Sequence, residues 1–269
     1  MSAAPAPTLA AAERWAPAPG TAVRGTVLLL PGRGEHPGLY GRFGRRLAFD
    51  GYQVQAPAEV RSLADTAHLA EQVATARQSP GPVVLAGSDT GALLALAAAA
   101  GAARPDAVLL VGAPDSRHPA GPGWSDELAA RTSCPVHRGL LADDPAFRPG
   151  LLGVPVAAEL AAAAEAAAPD LPVLVLHGSA DPVVPAAAAH RLAARLRRAE
   201  LVLVADGVHD VLNDAAHRSV AAQVVQWLER LRAGGADLPE LADLPHLLTT
   251  TGTAAGTTTG TAAREGHAS

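Results

Sequence analysis

The chain has 269 residues, 49% of them hydrophobic and 17% charged, which is enough to close a core and excludes a disordered chain by composition. All 21 basic residues are arginine, and the absence of lysine excludes a Schiff-base lysine, a phosphate-loop lysine and a kinase lysine. A net charge of -5 argues against nucleic acid as a partner, and the single cysteine, Cys134, excludes an internal disulfide framework.

Residues 1–22 read as an Ala/Pro-rich N-terminal extension that lacks the basic start and apolar core of a signal peptide. The first buried strand is expected at Thr26–Gly32 (TVLLLPG), followed by a helix on which Leu39, Phe43 and Leu47 recur at four-residue spacing. Further strands are expected at Gly51–Pro57, Pro82–Gly87, Ala107–Ala113, Pro172–Gly178 and Glu200–Asp206, each short, bounded by Gly or Pro, and mostly without alternation. An Ala/Leu helix follows Gly91, another runs through Leu192 and Leu196, and a third spans Ala221–Leu231. Strands alternating with helices predict an α/β fold with a mainly parallel, doubly wound sheet covered on both faces. Its core is expected to comprise residues 23–114 and 170–235.

Residues 115–169 interrupt the alternation with irregular helical sequence, and an insertion of this length is expected to be a helical cap over a site. Trp124, Phe147, Leu140, Leu151 and Leu152 either line a pocket under that cap or form its own small core. Residues 236–269 are a Thr/Gly/Ala-rich low-complexity tail, expected to be disordered. No apolar run reaches membrane-spanning length, so a soluble cytoplasmic protein is expected. No metal and no cofactor are expected. No Cys/His grouping has zinc spacing, and Gly32-Arg33-Gly34 lacks the third glycine of a dinucleotide fingerprint.

The densest chemistry lies in Val83–Leu94, VVLAGSDTGALL: a strand, a tight turn between Gly87 and Gly91, then a helix. This is the layout of a nucleophile elbow, in which glycines flank a strained central residue. Counting Gly-x-nucleophile-x-Gly puts Asp89 at the apex. A slip of one residue would make Ser88 the nucleophile, flanked by Ala86 and the branched Thr90. Downstream, VLHGSADPVVP carries Asp181 and LVADGVHDVLND carries His209, so nucleophile, acid and histidine follow one another in the order the elbow fold uses. Each also has a plainer reading, Asp89 and Asp181 as helix caps and His209 as a surface residue. Asp115, at the end of GAPD, is an alternative acid. Asn213, the only asparagine, is expected to shape the histidine loop.

Together these motifs resemble the α/β-hydrolase superfamily, in particular its monoacylglycerol lipase and serine aminopeptidase-like branch. PGRGEHPGLYGRFGRRLAFDGY is similar to that branch's oxyanion loop, HGSADPVVP to its acid loop and GVHDVLND to its histidine loop. The resemblance implies an oxyanion hole formed by the amides of Arg33 and Thr90; Glu35 and His36 either support it or form an exposed pair. The sequence departs from the branch in two places: Pro31 replaces the usual histidine, and Asp89 replaces the usual serine. A carboxylate attacking an ester would give an anhydride, whereas at a saturated carbon it gives an alkyl-enzyme ester that histidine-activated water can hydrolyse. Haloalkane dehalogenases and epoxide hydrolases of this fold use such an aspartate, usually followed by Trp, where this chain has Thr90. The epoxide enzymes also use cap tyrosines, and here the only tyrosines are Tyr40 and Tyr52, outside the cap. The expected function is therefore a hydrolase acting on a small, largely apolar substrate through an Asp89-His209-Asp181 triad. The alternatives are a serine esterase or lipase-like enzyme using Ser88, and a non-hydrolytic member of the fold such as a lyase, a cyclase or a binding protein. A small-molecule substrate is the expected partner, and the sequence leaves the oligomeric state open.

Overall fold

Short runs of Val, Leu and Ala, closed off by Gly and Pro, build the centre of the molecule. A computed structural model describes residues 12–58, 62–115 and 124–234. The tail 236–269, residues 1–11 of the N-terminal extension and the Trp124 side chain lie outside the described residues. In chain order the elements are β1 (Glu13–Trp15), β2 (Gly25–Leu30), α1 (Gly41–Phe49), β3 (Tyr52–Ala56), α2 (Thr66–Ala76), β4 (Val83–Ser88), α3 (Thr90–Ala100) and β5 (Ala107–Val111). Then follow α4 (Trp124–Arg131), α5 (Pro135–Asp143), α6 (Ala158–Ala166), β6 (Val173–Gly178), α7 (Ala186–Arg195), β7 (Ala199–Val204) and α8 (His217–Arg232).

The described strands form one sheet in the order β1-β3-β2-β4-β5-β6-β7, parallel throughout except for β1. All six expected strands are present. The one that the sequence did not signal is β1, which pairs antiparallel with β3 from within the stretch read as an extension. Its three residues carry no periodicity of their own and are held by their partner strand. Trp15 packs against the core there.

Successive residues of each central strand enter opposite cores. Val27, Leu29, Val84 and Ala86 pack on one face with Phe43 and Leu47 of α1 and with Val224, Trp227 and Leu228 of α8. Leu28, Leu30, Val83 and Leu85 pack on the other with α2, α3, α6 and α7. Burial on both faces explains why these strands read as unbroken apolar runs. Each fully buried Leu or Phe contributes roughly 1.5–3 kcal/mol, so the sheet is a rigid platform for the loops at its carboxyl ends.

The insertion between β5 and β6 is divided in its packing. Leu160 and Ala164 of α6 join the α3 face of the core, so this last helix covers the sheet. The part before it lies over the strand ends: the Arg148 amide donates to the Gly34 carbonyl at 2.9 Å, and the His209 amide donates to the Ala130 carbonyl at 3.1 Å.

The tightest packing lies where β4 turns into α3. A Cβ on Gly91 would stand 2.2 Å from the Leu30 carbonyl oxygen and 2.6 Å from that of Pro31, both backbone atoms that cannot move aside. Gly91→Ala should therefore lower stability by about 2–3 kcal/mol in urea unfolding. Gly139, exposed on α5 with nothing within 4 Å of its virtual Cβ, is the internal control. Gly139→Ala should raise stability by roughly 0.5–1 kcal/mol. Equal effects of the two substitutions would contradict this account of the turn.

Candidate active site

The turn after β4 holds Asp89 at φ 49°, ψ −121°, a conformation outside the left-handed helical well and strained for a residue with a side chain. Its amide donates to the Val111 carbonyl at 2.9 Å, which ties the apex to the end of β5. Gly87 and Gly91 are required on either side because their virtual Cβ atoms would meet backbone at 2.1 and 2.2 Å. The geometry of an elbow is thus centred on Asp89. Ser88 is the last residue of β4, is buried, and its side chain lies beside the Tyr40 phenol.

Three loops bring their side chains to Asp89. From the loop after β7, His209 places Nε2 3.4 Å from Asp89 Oδ1, an ion-pair distance longer than a good hydrogen bond. Its Nδ1 lies 2.8 Å from Asp181 Oδ2. Asp181, in the loop after β6, is itself fixed, because its other oxygen accepts from the amides of Val183 at 2.8 Å and Val184 at 3.1 Å. From the loop after β2, Arg33 reaches the remaining side of Asp89. Its amide donates to Oδ2 at 2.9 Å, its Nε to Oδ2 at 2.8 Å and its Nη2 to Oδ1 at 2.8 Å. The Arg33 Nη1 donates to the Val154 carbonyl of the insertion, so one guanidinium joins the elbow to the covering segment.

Asp89 and His209 are almost completely buried, at 1% and 2% exposure. Burial opposes charge on Asp89, but the imidazole of His209 and the guanidinium of Arg33 outweigh it and hold the carboxyl far below its ordinary range. Burial likewise opposes the imidazolium of His209, but Asp181 and then Asp89 outweigh it and push the pKa up to about 10. These neighbours favour an ionised Asp89 and a protonated His209.

A second ring of buried charge supports the first. Arg131 of α4 donates to Glu35 Oε1 at 2.8 Å, to Glu127 Oε1 at 2.7 Å and to the Arg33 carbonyl at 2.6 Å. Tyr40 donates to Glu35 Oε2, which also accepts from the Gly32 amide at 3.1 Å. Asp210 lies behind His209, with Oδ2 2.9 Å from the Asn213 amide nitrogen and 3.4 Å from His137 Nε2. Asn213 thus does brace the histidine loop.

The remaining expectations are placed as follows. Asp115 is half-buried and pairs with Arg191, whereas the acid on His209 Nδ1 is Asp181. Thr90 opens α3 beside Asp89 and lines, with Arg33, a cavity of about 180 Å³. His36 pairs with Asp144 at 2.8 Å, whereas Glu35 belongs to the buried ring. Phe147 is buried in the core cluster on the α1 and α8 face, Leu152 packs with Ala130, Val183, Val184 and Ala188, and Leu140 is exposed; none of the three lines the cavity beside Arg33. A larger cavity of about 500 Å³ between α3, α6 and α7 includes neither Asp89 nor His209 in its lining. Among the described residues no cluster of three His, Cys, Asp or Glu could hold a metal, and no helix is long and apolar enough to cross a membrane.

The sequence pointed to Arg33 only for its amide, and it gave no notice of Arg131, Glu127 or Tyr40. The one available signal was Glu127 and Arg131 at i and i+4, a spacing that is common on exposed helices.

With this geometry in hand, comparison with known proteins is informative. Residues 152–238 match the family model described as TAP-like protein, one of the Abhydrolase set. No protein of curated function matches the sequence. Among solved structures, a soluble variant of monoglyceride lipase from Saccharomyces cerevisiae superposes with a TM-score of 0.68 at 18% identity, covering 81% of this chain and 91% of that one. A monoacylglycerol lipase from Paleococcus ferrophilus gives 0.64 at 21% identity, covering 81% and 97%. The esterase domain of a Rhodothermus marinus protein gives 0.60 at 19% identity, covering 82% and 92%. At these identities the likeness is one of architecture: the chain has the α/β-hydrolase fold.

Proposed function

We propose that this protein is a hydrolase of small molecules in which Asp89 is the nucleophile, His209 the proton carrier and Asp181 the residue that orients the histidine. The observation that carries this reading is the position of Asp89 at the strained apex, with Oδ1 facing His209 and Oδ2 on the Arg33 amide. Ser88, the rival nucleophile, is buried at the end of β4 beside Tyr40, whereas His209 has Asp181 at Nδ1 and Asp89 at Nε2. The cavity of about 180 Å³ beside Arg33 sets the size of the substrate.

The charge states fit displacement at a saturated carbon. Asp89 Oδ1 attacks the carbon, the bond to the leaving group breaks, and the His209 imidazolium protonates a departing oxygen. This supplies the acid that the missing cap tyrosines would otherwise provide. Once alkylated, Asp89 carries no charge, so His209 loses one of its two carboxylate neighbours and its proton has already gone to the leaving group. It is then a neutral base beside an ester. It takes a proton from water, which adds to the Asp89 carbonyl carbon, and the Arg33 and Thr90 amides face the resulting oxyanion. Collapse expels the alcohol, which receives the proton held by His209. Asp89 is left as the free acid and returns its proton to His209. A second reading, a non-hydrolytic or binding protein, is favoured by one observation: the three donors of Arg33 on Asp89 lower the nucleophilicity of the free carboxylate.

Two measurements test this account. Ring NMR of His209 should show an imidazolium at pH 8 and a midpoint near 10, against an ordinary value of 6.5. Because the folded pKa lies above the unfolded one, the stability this group contributes is full below pH 6.5 and is lost as pH rises through 10. Asp181→Asn should bring the midpoint down toward neutrality, and a neutral ring at pH 8 in the unmodified protein would remove the proposed acid. In the second measurement, His209→Gln incubated with a short alkyl bromide should accumulate a covalent adduct on the peptide containing Asp89, since bromide leaves without a proton. Turnover of small epoxides should fall by roughly 10²–10⁴-fold in the same variant. Ester turnover lost in Ser88→Ala but kept in Asp89→Asn would establish the serine reading instead.

A further inference from the structure

The Arg33 side chain pairs with Asp89 and lines the cavity beside it. Its side chain is 9% exposed, against 1% for Asp89. Arg33 lines the cavity of about 180 Å³ and is the only cation among the described residues that do so, whereas Asp89 is not part of the lining. A ligand in that cavity therefore meets Arg33 before it can meet the nucleophile. Glu35 also borders the cavity, but Arg131, Tyr40 and the Gly32 amide already occupy its oxygens.

A neutral molecule offers Arg33 nothing in exchange for Asp89 and so reaches the carboxylate only slowly. The Arg33 fork grips Asp89 through both oxygens, and a pair of this kind is held strongly in a site that excludes water. What can displace one carboxylate from a planar fork is another carboxylate. The protein already sets one arginine between two carboxylates a few ångströms away, with Arg131 donating to both Glu35 and Glu127. The start of α3 at Thr90 and Gly91 also borders the cavity and adds the positive end of a helix to it. At about 30 Å³ for each water-sized group, the cavity takes a ligand of roughly six such groups.

Building on the Asp89 reading above, we propose that the substrate carries its own carboxylate, and that Arg33 trades Asp89 for it on binding. The exchange frees Asp89 Oδ1 for attack most readily when a ligand of the right charge is in place. Such a substrate is more polar than the largely apolar one expected from the sequence, since an arginine lines the cavity beside the site. Removing the internal competitor should therefore improve ligand binding.

Calorimetry with propionate as the probe tests this without requiring turnover, so it stands or falls separately from the nucleophile assignment. Propionate should bind the unmodified protein weakly and Asp89→Asn at least tenfold more tightly. Its neutral isostere propionamide should bind neither, and Arg33→Gln should abolish propionate binding. As a check that needs no variant, millimolar propionate should raise the Tm of the unmodified protein and propionamide should not. Binding of propionate no tighter in Asp89→Asn than in the unmodified protein, or binding that survives Arg33→Gln, would overturn the proposal. Inorganic phosphate binding in preference to propionate would overturn the carboxylate assignment.

Discussion

Asp89 brings a negative charge into a site nearly closed to water, on a backbone conformation that few residues adopt. Left alone there, a carboxylate would cost several kcal/mol in lost hydration and would take up a proton instead. The fold meets that charge from two sides, with Arg33 through three donors and with His209 across 3.4 Å. His209 can stay protonated beside it because Asp181 neutralises its far side. Removing any one of these groups leaves an unbalanced buried charge, so the four residues behave as one unit rather than as separable contacts.

This unit is held together by backbone that the sheet alone does not fix. Arg131 links the pieces: its guanidinium grips the Arg33 carbonyl, and its own carbonyl accepts from the Asp210 amide at 2.8 Å, next to His209. The segment over the strand ends thereby fastens the loop that carries Arg33 to the loop that carries the histidine. The same segment receives Arg33 Nη1 on the Val154 carbonyl. Opening the site therefore requires a rearrangement of ion pairs rather than movement of a free loop. The proposed carboxylate exchange would be one such rearrangement.

Strand positions and the order of the three motif loops were legible in the sequence because both are local signals. Runs such as Thr26–Gly32 and Ala107–Ala113 declare buried strands by composition, and Gly87-x-Asp89-x-Gly91 marks its turn by the glycines that the turn needs. Placing Asp181 and His209 together required only that they follow adjacent parallel strands, and β6 and β7 are neighbours. What was illegible depends on burial acquired in the tertiary structure. An arginine such as Arg33 or Arg131 reads as a surface residue until the chain closes over it, and nothing local distinguishes Arg33 from Arg45 or Arg46. The three residues of β1 escaped for a related reason, since their strand exists only through its pairing with β3. The insertion was visible as a break in the alternation, but its division into a helix on the sheet and a segment over the site was set by packing partners distant in sequence.

The central claim is that the oxygen delivered to the product comes from Asp89. A single turnover of excess enzyme on a small epoxide-bearing carboxylic acid in oxygen-18 water reads this directly, by mass spectrometry of both product and peptide. If Asp89 is the nucleophile, the first product molecule carries unlabelled oxygen and the label appears in the Asp89 side chain, because water attacks the ester carbonyl carbon. Label in the product and none in the peptide containing Asp89 would mean that water attacks the substrate itself, and would contradict the account.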